Sequence, residues 1–434
     1  MARIIPFRAY RYNPSMIHDL SDVVSPPYDR VSETVQDACY RRSPYNIVRI
    51  TKGRVEPGDG EQENVYTRAA RSLQQWIDEG ILVQDDQPSL YVYHQTYSFN
   101  GEQLTRKGIV ALGALEPEKV HAHEKTLRGP KEDRLRLMRA TEGNFGHIFM
   151  LYNDPSRAVE RTLAPVVHDA PPLLEAVDAD GNRHQVWRVI DPDVIRSVQA
   201  AVAERDLYIA DGHHRYETAV NYMDACRAAG WRPAAPESFD VRMMTLFNVA
   251  EPGMSIRPIH RLVHGIEGFD EDDFLSRASE HFRVVHHDAP ESMIEAAREG
   301  LREHTLGCVS ANRIVTLTLK DEGIMDRIGL SDRSVDYRRL DVTVLQEAIL
   351  HRLLGIDDAA LEEQRNITYT VDVNRGLAEV RSGEEQLFLY LNPTRPEEVL
   401  RVADHGEKMP QKSTDFYPKL LTGLVLMKME IIKP

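Results

Sequence analysis

Apolar and polar positions follow two different periods along this chain. Over residues 62–80 apolar side chains recur every three or four positions, and the same spacing returns over 341–354, so both segments are predicted to be amphipathic helices. Residues 90–97 instead alternate every second position and are rich in aromatic side chains, which predicts a strand. Asn100-Gly101 follows and predicts a hairpin turn into a second strand over 103–112.

Caps, turns and shorter apolar runs predict the remaining elements. We expect helices over 32–41, 194–204, 271–282 and 290–303, strands over 206–210 and 239–249, and a hairpin turn over 178–182. Strands and helices do not alternate regularly and no internal repeat is present, so the predicted fold is α/β of the mixed α+β kind. Glycines and acidic residues interrupt the pattern at 264–271, which predicts two regions, 1–265 and 266–434.

The segment 208–219 contains the most informative chemistry. A short apolar run stops at Asp211-Gly212 and resumes as a helix that opens with His213, His214 and Arg215. Such a strand, tight turn and helix N-terminus place a positive dipole end and basic side chains together, which favours phosphate or carboxylate as a ligand. The alternative is a strand-to-helix corner whose histidines are surface residues.

A second charged segment, 121–134, surrounds a Gly-Pro pair with histidines, basic residues and acidic residues. The Gly-Pro pair predicts a loop that opens a helix near Lys131. Glu124 is a candidate acid or metal-associated carboxylate, and Lys131 and Arg134 are candidate anion contacts. A solvated helix face is the alternative interpretation.

The third candidate segment is 408–419, in which Lys412, Ser413 and Thr414 supply one positive charge and two hydroxyl groups. These groups hold phosphate in nucleotide-binding loops, although the glycine-rich Walker pattern is absent and the segment is not a P-loop. A lysine-rich surface loop between two prolines is the alternative. Pro26-Pro27-Tyr28-Asp29 is a fourth candidate, for which rigid packing explains nearly as much as function.

Composition narrows the classes of protein. A net charge of −15 argues against general binding to nucleic acid. Three widely spaced cysteines form no C-x-x-C pair, so neither a disulfide framework nor a cysteine zinc site is predicted. The beginning of the chain lacks the apolar run of a signal peptide, and no segment is apolar enough to span a bilayer. We therefore expect a soluble cytoplasmic protein that binds neither nucleic acid nor membrane.

A metal site is a further hypothesis. The residues that have suitable ligand atoms are His121, His123, Glu124, Asp211, His213 and His214. The His-Glu-x-x-His pattern of zinc hydrolases is absent. We favour magnesium bound together with a nucleotide, and a catalytic transition metal remains the alternative.

Several of these motifs together resemble the prokaryotic family of domain of unknown function 1015. The resemblance extends over most of the chain and is carried by Pro6-Phe7-Arg8-Ala9, Pro26-Pro27-Tyr28-Asp29, His123-Glu124-Lys125-Thr126, Pro130-Lys131-Glu132-Asp133-Arg134, Asp211-Gly212-His213-His214-Arg215-Tyr216 and Met409-Pro410-Gln411-Lys412-Ser413-Thr414. The Asp-Gly-His-His-Arg turn also resembles the signature of the ParB/sulfiredoxin superfamily. That second resemblance implies a ParB/sulfiredoxin-like mixed-sheet core with insertions in 1–265, followed by a C-terminal α/β region.

Within that superfamily, the free serine kinases have the most similar turn. Sulfiredoxins have a cysteine where His213 stands, so sulfinic acid reduction is not expected here. DNA clamping of the ParB kind is disfavoured by the acidic charge and by the absence of a helix-turn-helix pattern after the motif. The resemblance implies that Gly212, His214 and Arg215 contact nucleotide phosphates.

The resemblance and the available groups together predict a nucleotide-dependent small-molecule kinase that acts on a hydroxyl compound such as free serine. The expected cofactors are ATP or ADP with Mg²⁺, and a homodimer is left open. Candidate catalytic residues are Glu124, Asp211 and His214, with Glu124 preferred as the base and Asp211 and Glu124 as metal ligands. Candidate nucleotide contacts are Gly212, His213, His214, Arg215, Lys131, Arg134, Lys412, Ser413 and Thr414.

A metal-dependent phosphohydrolase of a phosphorylated metabolite and a non-catalytic nucleotide-binding regulator are the alternative functions. Every version of the nucleotide site requires the 121–134, 211–215 and 408–419 segments to meet in space. This convergence is the main structural expectation from the sequence.

Overall fold

A computed structural model describes residues 3–116, 120–122 and 128–434, with residues 122 and 128–131 described by their backbone alone. The described chain forms two compact units. The first contains the described residues up to 254 together with 418–434, and the second contains 255–417. The assignment of 1–265 to a nucleotide-binding catalytic region, and of 266–434 to a C-terminal α/β domain that contributes the Lys-Ser-Thr loop, stays a prediction.

The strands of both units are numbered in chain order. They are β1 Ile4–Ile5, β2 Tyr10–Tyr12, β3 Leu82–Gln84, β4 Leu90–Phe99, β5 Glu102–Ala114, β6 Val120–Ala122, β7 Gly143–Asn144, β8 Ile148–Tyr152, β9 Leu174–Val177, β10 Arg183–Val189, β11 Leu207–Asp211, β12 Arg232–Pro233, β13 Val241–Asn248, β14 Ser255–Arg257, β15 His260–Val263, β16 Phe282–His286, β17 Thr305–Val309, β18 Ile314–Leu319, β19 Ile367–Thr370, β20 Leu387–Tyr390, β21 Asp415–Tyr417, β22 Met427–Lys428 and β23 Ile431–Ile432.

The α-helices are numbered in the same way. They are α1 Glu33–Arg42, α2 Val48–Thr51, α3 Val65–Asp78, α4 Arg128–Thr141, α5 Ala158–Asp169, α6 Pro192–Ala203, α7 His213–Ala228, α8 Glu271–His281, α9 Pro290–Glu299, α10 Gly323–Met325, α11 Val335–Arg338, α12 Asp341–Val344, α13 Asp358–Glu363, α14 Val373–Ser382 and α15 Pro396–Asp404.

The first unit is built on a mixed sheet in the order β6-β11-β8-β13-β5-β4-β10-β9, with β1 paired to β5. The pairs β6–β11 and β8–β13 are parallel, and the other neighbours along the sheet are antiparallel. The central strands β8 and β13 are buried along their whole length. Burial on both faces explains why their sequences are mostly apolar and do not alternate.

The last residues of the chain pack into this first unit. Thr422 bridges Ser25, Leu426 bridges Tyr10, and β22 and β23 pair with β7 and β12. These backbone contacts fix the position of the segment that begins at Pro418.

The second unit has its own sheet, in the order β16-β18-β17-β20-β15-β19. Every neighbouring pair in that sheet is antiparallel. Helices α8 and the 341–353 segment supply apolar side chains to a core beside β17 and β18, which includes Phe274, Leu306, Leu317 and Ile349. The unit therefore has a hydrophobic core of its own.

Most of the elements that the sequence predicted occur in the structure. The hairpin at Asn100-Gly101, helix α3 and the sequence of strand, turn and helix at 207–228 are confirmed. The predicted helix over 341–354 begins as α12 but continues as a π-helix over Leu345–Leu353. Among the residues that the structure describes, no helix is both long enough and apolar enough to cross a membrane.

Candidate functional site

The turn between β11 and α7 forms the centre of the candidate site. Asp211 is the last residue of β11, and Gly212 follows with φ 100° and ψ 25° in the left-handed region. A Cβ atom at position 212 would lie 3.1 Å from Nε of Arg215. Glycine is therefore required both by the backbone conformation and by the close approach of the arginine.

Asp211 lies between two cationic side chains. Lys419 Nζ donates to Oδ2 of Asp211 at 2.8 Å, and Arg215 Nη2 donates to Oδ1 at 3.3 Å. Burial by itself would raise the pKa of Asp211, but Lys419 and Arg215 together hold that pKa well below its usual range. The carboxylate is therefore ionised and paired at neutral pH.

Arg215 connects this turn to the interior of the sheet. Its side chain is buried, and Nη1 donates to the backbone carbonyl of His147. The His147 ring lies 2.7 Å from the hydroxyl of Thr245, and burial lowers the pKa of His147 to about 4. His147 is neutral at pH 7, so it adds no charge beside the arginine.

Three arginines line one cavity in the first unit, with a volume of about 40 Å³. Arg134, Arg215 and Arg242 contribute the guanidinium groups. The remaining lining residues are Pro27, Tyr28, Thr51, Leu137, Met138, Gly143, Phe145, Gly146, Thr218 and Thr422. The predicted anion contacts Arg134 and Arg215 are thus brought together around one space.

Arg134 is held in place by three kinds of contact. Its Nε donates to Asp133 at 2.9 Å, its Nη1 donates to the carbonyl of Thr51 at 2.8 Å, and its guanidinium carbon lies 4.1 Å from the centre of the Tyr28 ring. The Pro-Pro-Tyr-Asp segment therefore contributes an aromatic face to this cavity.

Arg242 completes the set of arginines. It lies on β13, is 6% exposed, and has no hydrogen-bond partner for Nε or Nη1 within the described structure. Burial and the positive charges of Arg215 and Arg134 lower the pKa of Arg242 to about 9. Its guanidinium is still protonated at neutral pH, so the cavity holds a buried positive charge.

The sequence pattern does not point to two residues of the site. Lys419 lies at the end of the 408–419 segment, whereas the pattern of charge and hydroxyl groups points to Lys412 in the same segment. Arg242 is the one charged residue in the apolar strand Val241–Asn248, and an isolated charge in a buried strand is a signal that could have identified it.

The structure does not place every predicted residue in this site. Glu124 lies outside the described residues, and the side chain of Lys131 is not described. Lys412, Ser413 and Thr414 belong to the second unit, whereas the Asp-Gly turn belongs to the first. The Ser413 hydroxyl is buried and donates to the carbonyl of Pro410. The predicted convergence of the three segments stays a prediction.

The two histidines of the turn differ in exposure. His213 is buried within α7, whereas His214 is partly exposed. His121 stacks on Tyr208 with ring centres 5.1 Å apart. No group of three or more histidine, cysteine or acidic side chains suited to a metal occurs within the described ranges.

The comparisons with known proteins establish the family. The chain belongs to the family described as protein of unknown function (DUF1015), whose model matches residues 4–343. A search of curated proteins found no match.

Several solved structures are distantly similar to this chain. A conserved hypothetical protein from Pyrococcus furiosus is 12% identical, with a TM-score of 0.35, covering 75% of this chain and 95% of that chain. A free serine kinase in complex with AMP is 12% identical, with a TM-score of 0.36, and the match covers 75% of this chain and 90% of the kinase chain. SbnI from Staphylococcus aureus, truncated at its C-terminus, is 9% identical, with a TM-score of 0.34, and the match covers 72% of this chain and 85% of the SbnI chain.

Proposed function

We propose that this chain is a kinase that transfers a phosphoryl group from ATP or ADP to a small hydroxyl compound such as free serine. The observation that carries the proposal is the cluster of Asp211, Arg215 and Lys419 at the glycine turn before α7. A helix N-terminus with cations beside it is a common binding place for phosphate groups. The ParB/sulfiredoxin-like core implied by the Asp-Gly-His-His-Arg turn is part of the same proposal.

The charges at the turn favour phosphate over a neutral ligand. Two cations, Lys419 and Arg215, contact the carboxylate of Asp211. The positive end of the α7 dipole lies at the same turn. We propose that Arg215 and Lys419 contact the transferred phosphate and that Gly212, His213 and His214 bind the neighbouring phosphates.

Phosphoryl transfer also needs a group that accepts the hydroxyl proton. Asp211 is a weak base because its two cationic neighbours hold its pKa well below the usual range. We therefore assign this role to Glu124. In the proposed step, the acceptor oxygen forms a bond to the terminal phosphorus and the bond from that phosphorus to the bridging oxygen breaks. The proton passes to Glu124, and the products are a phosphomonoester and ADP or AMP.

In the proposed reaction, magnesium binds together with the nucleotide. Both carboxylate oxygens of Asp211 contact cationic nitrogens, which leaves this side chain poorly suited to a metal ion in the described arrangement. It stays a prediction that Asp211 and Glu124 bind a metal ion.

The experiment that tests the proposal is phosphorus NMR of the full chain with magnesium and ATP or ADP, against a panel of hydroxyl amino acids and polyols. We expect a new phosphomonoester signal with the wild type. Arg215→Ala should abolish the signal, whereas Arg227→Ala, at the exposed end of the same helix, should retain it. Lys419→Gln is the second variant in case Arg215→Ala does not fold.

The other outcomes separate the alternative functions. Nucleotide binding without a product for any acceptor would contradict catalysis and favour a regulator. Release of inorganic phosphate from a phosphorylated metabolite, with no dependence on nucleotide, would replace the kinase by a phosphohydrolase.

A further inference from the structure

The cavity between Arg134, Arg215 and Arg242 has an imbalance of charge. Arg134 is paired with Asp133, and Arg215 is paired with Asp211. Arg242 has no ion pair among the described residues, and two of its nitrogens have no hydrogen-bond partner. Within the part of the chain that the structure describes, one positive charge in the interior therefore lacks a counter-charge.

A buried guanidinium without partners is costly to the fold. Burying a charge without pairing it, and leaving its N–H groups without acceptors, both disfavour the folded state. Arg242 nevertheless lies on β13, a strand in the middle of the sheet, where apolar side chains are the rule. An acidic group that enters from solution would supply both the missing charge and the missing acceptors.

The shape of the cavity limits what that group can be. A space of about 40 Å³ has room for a few water-sized groups. The nucleoside part of a nucleotide is far too large for it. Pro27, Leu137, Met138 and Phe145 form an apolar part of the wall, which strengthens a charge pair by excluding water.

We infer that this cavity is a subsite for one small oxyanion group, a carboxylate or a phosphate, and that Arg242 is its principal charge partner, with Arg134 and Arg215 beside it. If the group belongs to the acceptor, this inference rests on the proposed kinase function, and the acceptor is then an anionic hydroxyl compound. Binding of the oxyanion itself does not depend on catalysis.

Isothermal titration calorimetry of the full chain, without nucleotide or magnesium, tests the subsite directly. The probes are inorganic phosphate, acetate, D-glycerate and L-serine, with glycerol as the neutral control. We expect at least one oxyanion to bind the wild type and glycerol not to bind. Arg242→Met should weaken that binding by about 10- to 100-fold, the usual loss for a charge-assisted hydrogen bond.

The matched control is Arg227→Met, which makes the same charge change at an exposed position on α7 and should bind as the wild type does. Arg242→Met should fold, because methionine suits a buried strand and the change removes a charge that has no ion pair among the described residues. Its unfolding temperature without anion should equal or exceed that of the wild type. This readout separates loss of binding from loss of structure.

The arms of the experiment identify the source of the oxyanion. Binding of carboxylates that is lost in Arg242→Met supports a subsite for the acceptor, and binding of phosphate alone supports a subsite for a phosphate group. Equal binding by wild type and Arg242→Met, or no binding of any oxyanion by wild type, would overturn the inference. A phosphomonoester product that forms equally well with Arg242→Met would overturn the assignment of the subsite to the acceptor while leaving the kinase intact. Oxyanion binding without any kinase product would retain the subsite and reject the proposed function.

Discussion

At the scale of single residues, Asp211 has a structural role in addition to any chemical one. Its carboxylate is the counter-charge for both Lys419 and Arg215, and all three side chains are largely shielded from water. When one partner of a shielded ion pair is removed, the remaining charges lose their compensation. The free energy of unfolding therefore depends on this carboxylate.

Asp211→Asn is expected to lower the free energy of unfolding by about 2–4 kcal/mol, since it removes the carboxylate charge that Lys419 and Arg215 share. Urea denaturation at pH 7 measures the change. Asp206→Asn, at an exposed position near the start of the same strand, is the control and should change stability by less than about 0.5 kcal/mol.

Wild type and Asp211→Asn should differ in free energy of unfolding by an amount that depends on pH. The direction of this dependence follows from the lowered pKa of Asp211. Because the pKa of Asp211 is lowered in the folded protein, its contribution is complete above the unfolded value of about 3.9 and is lost as pH falls towards the folded value. The difference should thus be constant from pH 7 to about 5 and shrink below about 4. A difference that is already absent at pH 7 would show that the carboxylate is not a stabilising partner.

At the scale of elements, strand β11, the turn and α7 together position Arg215. This strand-turn-helix segment was predictable from the sequence because every signal is local. An apolar run, an Asp-Gly pair and a helical pattern follow one another within about twenty residues. The strand β13 was predictable from its apolar residues for the same reason. The position of Arg242 beside Arg134 and Arg215 was not predictable. It depends on the pairing of β13 with β5 and β8, which are distant from β13 in sequence.

Gly212→Ala tests how strictly this turn positions the arginine. An alanine at φ 100° is strained by about 1–2 kcal/mol, and its Cβ would lie 3.1 Å from Arg215 Nε, so the guanidinium must move. We expect lower stability together with weaker nucleotide binding, measured by urea denaturation and calorimetry.

Gly230→Ala is the matched control for Gly212→Ala. Gly230 also has a positive φ, of 76°, but a Cβ there would meet no atom within 4 Å. It should therefore lose a similar amount of stability while nucleotide binding is unchanged. If both variants bind nucleotide as the wild type does, the exact place of Arg215 is unimportant for binding.

At the scale of the whole molecule, the site depends on the way in which the chain returns to its first unit. Lys419 contacts Asp211 across 208 positions of sequence, and it is held there by the pairing of residues 422–432 with strands and loops of the first unit. No local pattern encodes such a return. The 408–419 segment therefore contains the residue that reaches the turn, Lys419, but the sequence did not indicate which of its residues does so.

Buried and half-buried histidines give the whole molecule a predictable response to mild acid. Burial lowers the pKa values of His94 and His147 to about 4 and that of His260 to about 3, and it also lowers the pKa of His184. A histidine that is harder to protonate when folded contributes stability that is complete above its unfolded pKa of about 6.5. That contribution is lost as pH falls towards the folded value.

Two other histidines act in the opposite direction. Burial would lower the pKa of His304, but Asp341 at 2.8 Å raises it, and a hydrogen bond with Glu347 raises the pKa of His351. Their contributions are present below about pH 6.5 and decline as pH rises through their folded values. The four lowered values outweigh these two, so the free energy of unfolding should fall between pH 6.5 and pH 4.

His147→Gln isolates one part of this response. A shift from 6.5 to about 4 corresponds to about 3 kcal/mol of stability lost on acidification, because each pKa unit is worth about 1.4 kcal/mol. Urea denaturation between pH 7 and pH 4 should therefore show a shallower decline in the free energy of unfolding for His147→Gln than for the wild type. The control His286→Gln, at an exposed position, should follow the wild type.

The same substitution should leave the cavity intact. Arg215 donates a hydrogen bond to the backbone carbonyl of residue 147, which glutamine retains, so oxyanion binding should persist. Identical pH profiles for His147→Gln and wild type would mean that His147 is protonated as readily in the folded chain as in the unfolded one.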